Sequence, residues 1–395
     1  MKRILFVDDE PMVLQGLRRM LHSMRHEWTM EFAGSGLEAL DMLAKAPYDV
    51  VVTDMRMPGM NGAQLLKEVM KRYPNVVRII LSGQTDQDAF LSSTTIMHQY
   101  LSKPCDTELL KNTIERACKL KDLLKDESLK KMVMQTGSLP SLSNLYAEII
   151  ETIQSPNVSM EKIGHIISKD IGMTAKVMQL VNSAFYGLRR RISDPTEAAV
   201  VLGFNTIKAL ALSYSLFSSL NQIKIHNFSP DALWQHSMAV GSFAKKIARA
   251  ENYPLKGIDD AFVAGMLHDL GKLVLAINLP ERYSEKLTLL EKNNISHLEA
   301  EMQVFNGTHA EAGAYLVGLW GITDPIVEAL AFHHSPGVCP SKGFSLVTAV
   351  HVANVLANEI WPGETGAGPP VDYAYIAELG LSERLSIWRE SCLTS

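Results

Sequence analysis

The chain has 395 residues, 47% of them hydrophobic and 21% charged. At roughly 100 to 200 residues per domain this predicts two or three folded units, and such a composition excludes an intrinsically disordered chain. Lysine plus arginine (38) against aspartate plus glutamate (43) gives a net charge of −5, so no global basic field exists to hold a polyanion, and nucleic acid is not an expected partner. Cys105, Cys118, Cys339 and Cys392 form no CxxC pair, a usage that suits free thiols in a reducing compartment. Only four apolar residues separate Arg3 from Asp8, and no stretch of about 18 uninterrupted apolar residues occurs. A cytoplasmic protein with no membrane segment is the expectation.

Ile4 to Val7, Val50 to Val52 and Ile79 to Leu81 are continuous apolar runs. Helical patterns from Val13 to Leu21 and Ala63 to Met70 lie between them, and this alternation predicts a doubly wound α/β domain with a five-stranded parallel sheet over residues 1–120. In such sheets the functional crevice lies at the carboxyl ends of the strands. Asp8 and Asp9 follow the first strand, Asp54 the third, Ser82 the fourth, and Lys103 with Pro104 the fifth, which runs from His98 to Leu101. Three carboxylates at one sheet edge repel one another unless a cation sits among them, and hard oxygen ligands at an open site suit Mg²⁺. A lysine and a hydroxyl beside them complement a phosphoryl oxygen.

This constellation resembles the receiver domain of two-component response regulators, which has a flavodoxin-like fold. The resemblance implies that Asp54, in TDMRMPGMNG, is the phosphoacceptor, and that Asp8, Asp9, Asp54 and the main-chain carbonyl of Arg56 hold Mg²⁺. It also implies that Ser82 and Lys103 contact the phosphoryl group, that Tyr100 is the aromatic switch residue, and that Lys103-Pro104 is a cis peptide. A buried aromatic is the plainer reading of Tyr100. A sensor histidine kinase is the implied phosphodonor.

Lys119 to Lys131 carries eight charges in thirteen residues with leucines at 120, 123, 124 and 129, a helical spacing with a solvated face. Residues 121–137 are therefore read as a helical linker, either a charged spacer or a lever that could build a homodimer. Gly137 and Pro140 end it.

From residue 138 to 335 strand signals vanish. Helical patterns follow one another over Leu142 to Gln154, Met160 to Ile167, Met173 to Val181, Thr196 to Leu202, Ile207 to Leu220 and Leu233 to Ala250. The segments LPSLSNLYAEIIETIQSP, IISKDIGMTAKVMQLVNSAFYG and EAAVVLGFNTIKALAL resemble the HDOD domain, an all-α, HD-like signalling domain. That resemblance implies an output acting through contact with an unknown downstream signalling protein.

Related HD enzymes hold metal through histidines and a carboxylate, and six of the twelve histidines here fall where those enzymes place theirs. They are His236, His268 beside Asp269, His309, the pair His333-His334, and His351, which by spacing stands where the closing carboxylate of the HD site would fall. Neutral imidazoles with one carboxylate suit Fe, Mn or Zn. Lys272, three residues after Asp269 and on nearly the same helix face, is placed to meet a phosphate oxygen. A metal-dependent phosphohydrolase is thus the alternative to a non-enzymatic output. The histidine pair is followed by SPGVCPSKG rather than the Gly-Tyr-Pro element of the cyclic di-GMP phosphodiesterases, so that substrate is not implied.

Residues 336–395 are expected to form a helical extension packing on the second domain: a helix from Ser345 to Ile360, a Gly/Pro-rich loop, and a short helical pair over Tyr373 to Leu385. No basic recognition helix or P-loop is found.

Overall fold

The structure, a computed structural model, describes residues 1–82, 97–103, 105–120, 144–155, 158–181, 192–220, 225–293, 295–319, 322–339, 343–360 and 370–393. Pro104 and the linker from residue 121 lie outside the described residues, as do the side chains of Ser82 and Tyr100. The chain divides into two compact units, the first made of Met1–Ser141 with Tyr315–Gly321 and the second of Leu142–Ala314 with Ile322–Ser395.

The first unit holds strands β1 (Lys2–Val7), β2 (Trp28–Ala33), β3 (Val50–Asp54), β4 (Val77–Ser82) and β5 (Gln99–Ser102). They form one sheet in the order β2-β1-β3-β4-β5, every neighbouring pair parallel. Helices α1 (Pro11–Met20), α2 (Gly36–Lys45), α3 (Gly62–Arg72) and α4 (Thr107–Leu120) connect or follow the strands. A parallel strand needs cover on both faces, and β3 is buried at all five positions. Strand β2 is an edge strand whose four central residues are only partly covered, and its text, WTMEFA, alternates apolar and polar residues instead of forming a continuous apolar run. Local chemistry sets the helix starts: Ser35 caps α2 by accepting from the Glu38 amide, and Asn61 with Gln64 forms a reciprocal capping box on α3.

The second unit is helical throughout its described residues: α5 (Asn144–Gln154), α6 (Met160–Ser168), α7 (Ile171–Val181), α8 (Pro195–Leu220), α9 (Pro230–Ala250), α10 (Leu255–Leu267), α11 (Leu270–Asn278), α12 (Pro280–Asn293), α13 (His297–Phe305), α14 (His309–Leu319), α15 (Asp324–Phe332), α16 (Leu346–Ile360), α17 (Tyr373–Glu378) and α18 (Arg384–Leu393). Helix α8 is broken at Gly203, where φ is +76° and ψ 165°, so the two helices read from the sequence meet at a bend. Its Pro195–Ser215 stretch is long and apolar enough to cross a membrane, yet it contains that break and more than half of it is buried.

Helix α9 packs on α10 and α16, and α15 packs on both of those. Helix α16 is buried at every residue from Leu346 to Ala357, so it is a central helix of this unit. Helix α18 packs against α9; Trp388 is fully buried, and its Nε1 and the Arg384 Nε both donate to Glu251 Oε1 at 2.8 and 2.7 Å.

Helices α11 and α14 approach so closely at Gly271 that a Cβ there would lie 1.9 Å from the His309 carbonyl oxygen and 2.9 Å from the Gly313 nitrogen. Only glycine permits this approach, and it sets the turn carrying Asp269 beside His309. Replacing Gly271 by Ala should therefore cost about 1–3 kcal/mol of stability or more, whereas Gly16→Ala, on α1 with open space around it, should gain about 0.5–1 kcal/mol. Urea unfolding of the two variants checks both signs.

Candidate phosphoacceptor and metal sites

The first site forms where the parallel strands end. Asp8 follows β1 and is buried, Asp54 closes β3 and is nearly so, and Lys103 follows β5. Lys103 Nζ donates to Asp8 Oδ2 at 2.7 Å and also contacts Asp54 Oδ1. The second oxygens are held by the backbone: the Glu10 amide donates to Asp8 Oδ1 at 2.9 Å and the Arg56 amide to Asp54 Oδ2 at 2.5 Å. Gly62 lets the chain fold back over Asp54, since a Cβ there would sit 2.1 Å from the Asp54 carbonyl oxygen.

Burial lifts the Asp54 carboxyl above its ordinary range although Lys103 and the Arg56 amide oppose it. Burial also works against the Lys103 ammonium, but Asp54 and Asp8 outweigh it and raise its pKa. Thus Asp8, Asp54 and Lys103 come together as expected. Asp9 is partly exposed next to Asp8, and Ser82 and Tyr100 lie on β4 and β5 with side chains outside the described residues. One ammonium against Asp8, Asp9 and Asp54 leaves an excess of hard anionic oxygen. That donor set fits Mg²⁺, which Asp8, Asp9, Asp54 and the Arg56 carbonyl could hold.

The second site centres on Asp269, buried in the turn between α10 and α11. Helices from across the unit bring imidazoles to it: His309 Nε2 lies 3.1 Å and His333 Nε2 3.9 Å from Oδ1, and His268 Nε2 lies 3.3 Å and His236 Nε2 3.9 Å from Oδ2. His334 Nε2 stands 3.1 Å from His309 Nε2.

The outer nitrogens of three rings are tied down. His268 Nδ1 meets the Gly265 carbonyl at 2.7 Å, His333 Nδ1 the Leu330 carbonyl at 2.7 Å, and His309 Nδ1 the Glu301 carboxylate at 2.6 Å. These partners are acceptors only, so each Nδ1 carries the proton and each Nε2 aims inward at the carboxylate. Asp269 Oδ1, His268 Nε2 and His333 Nε2 are buried with no hydrogen-bond donor. Lone pairs crowded this closely repel; a divalent cation among them would satisfy them all, and the donor set of imidazoles with one carboxylate fits Zn, Mn or Fe. Two ligand groups are present, Asp269 with His309, His333 and His334, and Asp269 with His236 and His268.

The electrostatics favour neutral rings at His333, His334 and His236 and a proton on His309. Burial pushes His333 and His334 well below the ordinary histidine value and takes His236 down to about 4, leaving all three neutral. Burial alone would raise the Asp269 pKa, but His268, Lys272 and His309 hold it well below the ordinary carboxylate range. Burial also opposes a charge on His309, but Glu301 and Asp269 on its two sides prevail and raise its pKa.

One expectation needs correction. His351 is not part of the cluster: its Nδ1 donates to the His333 carbonyl at 2.8 Å and its Nε2 accepts from the Asp372 amide at 2.9 Å, so both nitrogens are used by the backbone. It steadies the His333 turn from behind. The residue of α16 that reaches the site is Asn354, one turn further on, with Oδ1 2.9 Å from His236 Nε2. Lys272 Nζ donates to Asp269 Oδ2 at 2.6 Å.

Sequence reasoning also missed Glu301 and Lys286, both fully buried. Glu301 Oε2 accepts from the His309 amide and ring, while Oε1 faces Lys286 Nζ at 3.0 Å. The ammonium lies over the Tyr283 ring, 4.7 Å from its centroid. A signal did exist: the Ser296–Glu299 capping box fixes the phase of α13 and places Glu301 with Ala300, Val304 and Phe305 on the buried face, where a carboxylate needs a partner.

Residues 139–336 match the HDOD domain family and residues 4–115 match the response regulator receiver domain. With half of its length in the first match, the chain belongs to the HDOD family, and it carries a receiver domain in front. A receiver joined to an HDOD domain makes it a response regulator of two-component signalling, a class whose phosphodonor is in general a histidine kinase. Among curated proteins it is 28% identical over 217 residues to an uncharacterized protein of Treponema pallidum, a match covering 55% of this chain and 42% of that one. It is 32% identical over 154 residues to the hydrogenase transcriptional regulatory protein HoxA of Cupriavidus necator, covering 38% and 31%. The chain thus spans less than half the length of these relatives. A solved HDOD domain protein of unknown function from Geobacter sulfurreducens aligns over 66% of this chain and 96% of its own, with a TM-score of 0.50 and 22% identity, a likeness of fold.

The buried Lys286–Glu301 pair sets a clear expectation for stability. Glu301→Gln leaves an ammonium buried without its charge partner and should cost about 3–5 kcal/mol, whereas the double variant Glu301→Gln, Lys286→Met should recover much of that loss. Chemical denaturation of the chelated proteins, run as a double-mutant cycle, measures the difference.

Proposed function

We propose that this response regulator accepts a phosphoryl group on Asp54 from a histidine kinase and passes the signal to its HDOD domain, which acts in the cytoplasm through protein contacts. The observation that carries this reading is Lys103 bridging Asp8 and Asp54 at the strand ends. In the transfer, an Asp54 carboxylate oxygen attacks phosphorus, the P–N bond to the kinase histidine breaks, and the leaving imidazole nitrogen keeps the electron pair and takes up a proton. Lys103 holds the nucleophile in place and lies beside the charge that develops on the phosphoryl oxygens; the Arg56 amide fixes the other carboxylate oxygen. When bound, Mg²⁺ supplies further neutralisation of that charge.

The receiver relatives that regulate transcription match only part of this chain, and the acidic net charge gives no basis for carrying DNA binding over from them. A downstream protein, or a second copy joined through the charged linker, is the proposed receiver of the signal. Incubation with phosphoramidate and Mg²⁺ should add one hydroxylamine-labile phosphoryl group to the wild type and none to Asp54→Asn. Beryllofluoride treatment should change the sedimentation or the pull-down profile of the wild type alone; identical behaviour of the two proteins contradicts the reading.

A second reading is favoured by one observation, the inward-facing lone pairs around Asp269. Here the HDOD domain is a receiver-controlled metal-dependent phosphohydrolase. A divalent cation, when bound, supplies Lewis acidity toward a phosphoryl oxygen. The chain's own residues hold the ligands in register: Glu301, Gly265 and Leu330 fix three rings, and His351 supports the His333 turn. A screen of cyclic dinucleotides and nucleotide phosphates with Mn²⁺ or Fe²⁺ should give turnover that disappears in Asp269→Ala; equal rates in the two proteins contradict it.

A further inference from the structure

The two oxygens of Asp269 have different surroundings. Oδ1 is buried without a donor and faces His309 and His333, with His334 completing that side. Oδ2 already accepts a hydrogen bond from Lys272 Nζ at 2.6 Å. On the same side His236 Nε2 sits 2.9 Å from Asn354 Oδ1; the amide oxygen is an acceptor, so the imidazole carries its proton on the nitrogen that would otherwise serve as a ligand. Asn354 is itself held, accepting from Asn358 Nδ2 at 3.2 Å. Of the two Asp269 oxygens, Oδ1 is open and Oδ2 is occupied by Lys272; on the occupied side His236 is also engaged, by Asn354, and His268 Nε2 has no partner.

We infer that Lys272 and Asn354 close the His236–His268 side of Asp269, so that the cluster is a single-metal site formed by Asp269, His309, His333 and His334. The inference rests on the metal reading of the second site and adds its stoichiometry and the residues that set it. A cation on the closed side would have to lie beside the Lys272 ammonium and compete with it for the same oxygen, an unfavourable charge contact in a buried turn. It would also need a proton to leave His236. A cation on the open side meets no ammonium and displaces only the hydrogen bond between His334 Nε2 and His309 Nε2, 3.1 Å apart. A lysine on the closed side thus takes the place that a second metal holds where two ions share one carboxylate.

The test counts zinc by elemental mass spectrometry after equilibrium dialysis of the full chain against Zn²⁺, in excess Mg²⁺ so that the oxygen-lined receiver site is filled. An Asp269→Ala protein gives the zinc bound elsewhere, and circular dichroism confirms each fold. The wild type should hold one equivalent above that blank, Lys272→Met two, and Lys272→Met with His236→Ala one again. The second equivalent should bind on the order of tenfold or more tightly in Lys272→Met than in the wild type. Lys272→Gln replaces Lys272→Met if the latter does not fold. Two equivalents in the wild type overturn the inference and leave the metal reading standing, as does one equivalent in both lysine variants. Zinc no higher than the blank in every protein overturns the metal reading and the inference with it.

Discussion

A carboxylate taken out of water must meet a cation. This constraint organises both sites: Asp54 and Asp8 at the strand ends, and Asp269 in the turn between α10 and α11, are buried, and each is met by a lysine reaching it from nearby. Lys103 comes from the loop after β5, so the ion pair joins the first, third and fifth strands at the edge where the chemistry takes place. Lys272 comes from one turn further along the chain than its partner and quenches only one oxygen. The first arrangement leaves a reactive carboxylate with one ammonium amid three acidic groups. The second leaves an oxygen and a ring of lone pairs facing each other.

The scaffolds serve these arrangements differently. In the receiver, parallel strands buried on both faces place every strand end at one edge, so local sequence alone brings the residues together. In the HDOD domain no local rule does so: ligands arrive from α9, the α10–α11 turn, α14 and the end of α15. They are positioned by close helix crossings, such as that of Gly271 against α14, and by acceptors behind each ring. The Gly265 and Leu330 carbonyls and the Glu301 carboxylate each fix a tautomer, a role that outer groups play wherever an imidazole must present a lone pair.

This difference explains how much was legible in the sequence. Asp8, Asp54 and Lys103 were legible because apolar runs locate strand ends without knowledge of packing. Strand β2 was not, because an edge strand with partly covered central residues lacks an apolar run. In the helical domain the ligand-bearing turns were legible from histidine placement, but the phase of α16 was not. A helix buried at every position from Leu346 to Ala357 has no polar face to reveal which side looks at the site, and counting residues selected His351 where the fold presents Asn354. The role of Glu301 depends on a contact eight residues away that crosses two helices, and the hydrogen bond from Lys272 to Asp269 depends on which face of α11 is turned inward.

The central claim is that these buried carboxylates are cation sites of unequal kind, one lined by oxygen and one by imidazole. Anomalous diffraction from crystals of the full chain grown with Mn²⁺ tests it most directly. One peak is predicted beside Asp8 and Asp54 and one bounded by Asp269, His309, His333 and His334. A clear map with no peak in the histidine cluster would contradict the claim.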